Sequence, residues 1–87
     1  MDILFQQSAF EDYQQWAIDN KKMYSKINSL IKECTRTPFT GTGKPEPLKG
    51  NLAGFWSRQI TDKHRLVYKV EKDVLTIAAC KSHYNAR

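Results

Sequence analysis

Three residue types that together can cut RNA lie in the second half of this 87-residue chain. A glutamate, Glu46, stands in the glycine-rich stretch "FTGTGKPEPLKGNLAGFW", flanked by two prolines and two lysines. Arg58 and Arg65 follow, and then the pair His83-Tyr84. Cleaving a ribose-phosphate backbone without a metal needs a base for the 2′-hydroxyl and an acid for the departing 5′-oxygen. It also needs cations for the charge that builds on phosphorus. A carboxylate, an imidazole and guanidinium groups would be enough. Each residue also has a plainer reading. Glu46 can be solvated beside Lys44 and Lys49, and His83 can be a surface residue near the chain end. Arg65 can pair with Asp62 or Glu71, and Tyr84 can cap the core. Phe55 and Trp56 suit a core better than a stacking platform.

Other chemistries fit less well. His64 and His83 are the only histidines, and no His, Cys, Asp and Glu cluster has metal-ligand spacing, so no metal is expected. Gly43-Lys44 resembles a phosphate loop, but proline follows where serine or threonine is required, and the first glycine is misplaced. No nucleotide or other cofactor is expected.

The elements that must carry these residues can be placed from periodicity. "DILF" is long enough for one strand. "SAFE" reads as a capping box starting a helix at Ser8, with Phe10, Tyr13, Trp16 and Ala17 on its apolar face. Asp19-Asn20 is a break. In "KKMYSKINSLIKECTR", Met23, Ile27, Leu30, Ile31 and Cys34 form one stripe, and the helix must end before Pro38. Residues 37–51 hold all three prolines and three of the four glycines, and read as a loop whose prolines stiffen Glu46. "GFWSRQI", "HRLVYKVE" and "VLTIAACKSHY" read as strands joined by short turns, hence antiparallel. Alternation puts Leu66, Tyr68 and Val70 on one face and Arg65, Val67 and Lys69 on the other. It also puts Leu75, Ile77, Ala79, Lys81 and His83 together. The predicted fold is α+β: an antiparallel sheet with an N-terminal helical hairpin packed on one side.

Length allows one small domain, over residues 1–84, with a short tail at 85–87. The net charge is +5 and unevenly spread. Residues 1–34 hold four basic and five acidic groups, and residues 35–87 hold ten and four. The basic half is the expected surface for a polyanion, nucleic acid above all. Cys34 and Cys80 are far apart within apolar patterns and are expected to be buried thiols. No signal peptide or membrane span is read, so a cytosolic location without membrane contact is expected.

The segments "RTPFTGTGKPEPLKGNLAGFWSRQITDKHRLVYKV" and "IAACKSHY", with "AFEDYQQW" and "SKINSLIKE" before them, resemble the YoeB/Txe family within the RelE superfamily. The resemblance runs from about Ile3 to Tyr84. It implies the toxin half of a type II toxin–antitoxin pair, which enters the ribosomal A site and cuts mRNA there. By motif position, Glu46 looks like the general base, His83 the general acid and Arg65 the stabiliser of the phosphorane-like transition state. Tyr84 looks like a residue orienting the substrate or the histidine. Lys44, Lys49, Arg58 and Lys81 would be supporting contacts to mRNA or ribosomal RNA. The implied partners are a cognate antitoxin with an acidic segment, the ribosome with its mRNA, and a second copy of the chain. Operator DNA is met only through the antitoxin complex. The chain departs from the family at Gln59, where a second arginine is common, and at Ser82, where an aromatic is common. It departs again at "NAR", which continues past the usual final tyrosine. The same basic face would also serve a non-catalytic module that blocks translation by occupying the ribosome.

Overall fold

The computed structural model describes residues 1–82, so His83, Tyr84 and the tail lie outside the described residues. The elements are β1 (Asp2–Phe5), α1 (Gln7–Asp19), α2 (Lys21–Cys34), β2 (Glu46–Pro47), β3 (Trp56–Gln59), β4 (Arg65–Glu71) and β5 (Val74–Ala79). A short 3₁₀ turn, Gly50–Leu52, separates β2 from β3. The strands form one sheet in the order β1-β5-β4-β3-β2.

The sheet is mixed rather than antiparallel, because β1 runs parallel to β5. Short turns impose antiparallel pairing on β3, β4 and β5. No such turn links β1 to β5, which are connected only through the rest of the chain. The β4–β5 turn has two residues, Lys72 and Asp73, both with positive φ, the geometry that suits strand twist in a tight hairpin.

Helix α2 buries the stripe its spacing predicts: Met23, Ile27, Leu30, Ile31 and Cys34. Asn20 ends α1 and caps α2, its side chain accepting from the Met23 amide at 3.2 Å. The predicted capping box at Ser8 does not form. The Gln6 amide donates to the Ile77 carbonyl at 2.9 Å, which keeps Gln6 extended, and the helix begins one residue before Ser8. Pairing to β5, not local capping, sets that helix start.

The core lies between the helices and one sheet face, where Ile27, Leu30 and Ile31 meet Leu66, Tyr68, Leu75 and Ile77. Burying each such side chain contributes about 1.5–3 kcal/mol. Both cysteines are free and fully buried, and burial pushes the Cys80 thiol up to about 12. The alternation expected in β5 holds for Leu75 and Ile77 and then breaks. Tyr68 pairs with Ile77 but Val67 pairs with Ala79, so Ala78 is an extra residue. The bulge shifts the phase, so Cys80 is the next core residue and Ala79 faces away with Val67.

One buried charge organises the long connection. Arg58 is 0% exposed and spends all five of its donors. Its Nε donates to the Tyr68 hydroxyl at 3.0 Å. Nη1 donates to Glu33 Oε2 at 2.5 Å and to the Thr42 carbonyl at 3.0 Å. Nη2 donates to the carbonyls of Thr37 and of Thr40 (2.8 Å to the latter). Burial pushes the Tyr68 phenol up to about 12, so it stays protonated and donates to the Pro38 carbonyl at 2.6 Å. Arg58 was expected to contact RNA; a guanidinium enclosed this way has no donor left for a phosphate. Two glycines permit the wrapping. A Cβ on Gly41 (φ +116°) would lie 2.1 Å from Glu33 Oε2, and one on Gly43 (φ +86°) 2.8 Å from the Gln59 carbonyl.

This arrangement makes two predictions. Lysine has three donors and no planar fork, so Arg58→Lys leaves at least two of the five acceptors without a donor and destabilises by about 2 kcal/mol in denaturant unfolding. The Thr42 amide at 2.6 Å, then Arg58, holds the Glu33 carboxyl below its ordinary value of 4.5. A depressed folded pKa stabilises above the ordinary value, and that stability is lost as pH falls through the folded one. Melting temperature followed from about pH 7 to about pH 3 will fall less steeply in Glu33→Gln than in the parent. Parallel curves would contradict this.

Candidate active site

Residues opposite each other in register share a sheet face. Glu46 lies opposite Ser57 and Ser57 opposite Val67, so these three point away from the helices. Arg65, two residues before Val67, joins them, as does Gln59 opposite Arg65. This face carries the candidate chemistry.

Glu46 reaches it because β2 pairs with β3 at the edge of the sheet. An edge strand tolerates proline, which lacks the N–H an inner ladder would need. Pro45 and Pro47 therefore hold Glu46 extended at no cost in hydrogen bonds. Glu46 Oε1 lies 3.7 Å from Arg65 Nη1, with the two side chains 52% and 24% exposed. The pair is close enough for ionic attraction and too long for a hydrogen bond. Both groups remain open to solvent on one side.

Beneath the pair lies Ser57, 0% exposed, whose hydroxyl has no hydrogen-bond partner among the described residues. Leu48 and Val67 are buried outside the main core cluster. Ser57 was not among the expected site residues. Its signal was available in "FWSR": if Trp56 faces the core, Ser57 must face the other way.

Lys44 and Lys49 are exposed on either side of β2. Lys44 has a positive φ of 52°, next to Gly43, whose carbonyl accepts from the Gln59 amide at 2.7 Å. Lys81 is also exposed, but its Nζ lies 5.9 Å from the centre of the Trp16 ring, turned toward α1. Glu46 and Arg65 are thus brought together, with Lys44 and Lys49 beside them, while Arg58 is enclosed in the interior. His83 and Tyr84 lie outside the described residues. Ser82, the last described residue, lies beside Arg65, whose amide donates to the Ser82 carbonyl at 3.1 Å. Among the described residues, no group of three His, Cys, Asp or Glu could hold a metal ion, and no helix is long and apolar enough to cross a membrane.

Comparison with known proteins identifies the family and agrees with the fold. The family model described as "YoeB-like toxin of bacterial type II toxin-antitoxin system" matches residues 5–84. The chain is 55% identical to toxin YoeB of Escherichia coli (strain K12) over 97% of its own length and 100% of the relative's. A solved YoeB/ParE toxin from Agrobacterium tumefaciens superposes with a TM-score of 0.94 at 45% identity, covering 97% of this chain and 100% of that one. YoeB of Staphylococcus aureus, solved in complex with YefM, superposes with a TM-score of 0.89 at 49% identity, covering 97% and 98%. The same protein has also been solved as a dimer, with a TM-score of 0.89 at 48% identity and the same coverage. Fold, motifs and relatives converge over nearly the whole length, and the chain belongs to the YoeB-like toxins of bacterial type II toxin–antitoxin systems.

Proposed function

We propose that this toxin is a ribosome-dependent mRNA endoribonuclease that cuts its substrate in the A site by metal-free attack of the ribose 2′-hydroxyl. The observation that carries the proposal is the meeting of Glu46 and Arg65, at 3.7 Å, on the open sheet face. Glu46 takes the proton from the 2′-hydroxyl. The oxygen so released attacks the adjacent phosphorus, and Arg65 holds the added negative charge on the phosphoryl oxygens. The bond to the 5′-oxygen breaks, and His83 gives that oxygen a proton. The products are a 2′,3′-cyclic phosphate and a free 5′-hydroxyl. Tyr84 orients the substrate or His83, and Lys44, Lys49 and Lys81 contact mRNA or ribosomal RNA.

The partners follow from the site and from the relatives. The S. aureus complex supports an antitoxin of YefM type, and the S. aureus dimer supports a homodimer. An acidic antitoxin segment covers the basic surface and silences it. Operator DNA is bound only by the toxin–antitoxin complex. The site of action is the cytoplasm, where ribosomes are.

The test is cleavage of a defined message on programmed ribosomes. Glu46→Gln and His83→Ala each lower the rate by about 10²–10⁴-fold, the range for a positioned base or acid. Arg65→Ala lowers it by about 10²–10³-fold. Translation arrested with the message uncut, as judged by end mapping, would replace catalysis with occupancy of the ribosome.

A further inference from the structure

Ser57 stands in β3 fully buried, and its hydroxyl has no hydrogen-bond partner among the described residues. Buried side-chain oxygens are nearly always paired, because an unpaired one forfeits the bonds it made with water. The buried neighbours Leu48 and Val67 are apolar and call for no oxygen here. An alanine would fill the same strand position without the cost.

Few groups can reach the hydroxyl. On one side Ser57 lies opposite Val67, which offers nothing polar. Along its own strand Gln59 faces the same way, and its Nε2 donates instead to Asp62 Oδ1 at 3.1 Å. On the other side Ser57 lies directly opposite Glu46. Cβ atoms of directly opposed residues are about 4.5–5.5 Å apart, and those of diagonal neighbours about 7–8 Å. Arg65, opposite Gln59, is a diagonal neighbour, so Glu46 has the shorter reach. The Glu46 backbone is pinned against β3 on both sides. The Gln59 amide donates to the Gly43 carbonyl at 2.7 Å, and the Leu48 amide to the Phe55 carbonyl at 2.9 Å. The carboxylate is less constrained: the side chain is 52% exposed, and Oε1 stands 3.7 Å from Arg65 Nη1, too far for a hydrogen bond.

We propose that Ser57 is a positioning residue for Glu46: when a phosphate takes over Arg65, the carboxylate turns to the Ser57 hydroxyl and accepts from it. One carboxylate oxygen is then held, and the other is left for the ribose 2′-hydroxyl. The idea rests on the proposed nuclease mechanism. Ser57 touches no substrate and acts only through Glu46. The buried hydroxyl is unpaired in the free protein because its partner is engaged with Arg65. A hydrogen bond to a charged group, made only as the reaction proceeds, is worth about 10–100-fold in rate.

The experiment is a double-mutant cycle on programmed ribosomes. Ser57→Ala lowers kcat by about tenfold or more with KM within about twofold, as expected for lost alignment and not lost binding. Its melting temperature is equal to the parent's or higher, because no bond of the free protein is removed. In a Glu46→Ala background the same substitution changes the residual rate by less than about twofold, since the group it aims is gone. Parental kcat in Ser57→Ala, or an equal loss in both backgrounds, would overturn the proposal. Glu46→Ala measured alone separates the two levels. If it cleaves at the parental rate, the nuclease mechanism fails; if it is slow while Ser57→Ala is normal, only the positioning role fails. Should a variant fail to fold, a structure of the parent on a ribosome whose message carries a 2′-deoxynucleotide at the cut decides. Ser57 Oγ within about 2.5–3.0 Å of a Glu46 carboxylate oxygen is expected. A carboxylate still paired with Arg65, or turned away from Ser57, would contradict the assignment.

Discussion

The Arg58 guanidinium is the interaction on which the rest of the molecule depends. A buried charge is tolerated only when its hydrogen-bonding capacity is fully met. Arg58 meets it by gathering three carbonyls from residues 37–42, the Glu33 carboxylate of α2 and the Tyr68 hydroxyl of β4. The same bonds that satisfy the arginine give an irregular segment a single shape. Glu33 also accepts from the Thr42 amide, so helix, loop and sheet close around one charge pair. The loop then leaves at Gly43 directly against β3, and Glu46 arrives in register with Ser57. The placement of the proposed base is thus decided some distance from the base itself.

The site built on this frame is open and loosely paired. An exposed ion pair such as Glu46 with Arg65 contributes about 0–1 kcal/mol, so a phosphate can take over the arginine at little cost. In the proposed reaction, that exchange is what would free the carboxylate to act as the base. A tighter, buried pair would have been harder to open. The same sheet end also holds Ser82, through the Arg65 amide and the His64 ring.

Much of this was legible in the residues. The stripe from Met23 to Cys34 and the three C-terminal strands come directly from periodicity, because each buries one face against one core. What escaped is non-local. β2 is two residues between prolines and shows no alternation. The parallel pairing of β1 with β5 depends on a contact across the whole chain. The bulge at Ala78 shifts the phase of β5 without any glycine or proline to mark it. Arg58 misled because arginine is mostly exposed, although its position two residues after Trp56 puts it on the core side. Ser57 was overlooked for the complementary reason. The roles of His83 and Tyr84 came from motif resemblance alone.

The central claim is that the message is cut by its own 2′-hydroxyl on the face shared by Glu46 and Arg65. The most direct measurement places a single 2′-deoxynucleotide on the 5′ side of the mapped cut in a ribosome-bound message. The account predicts that cleavage at that position disappears while the toxin still binds the programmed ribosome. Cleavage at an undiminished rate would show that another nucleophile attacks the phosphorus and would contradict the role given to Glu46.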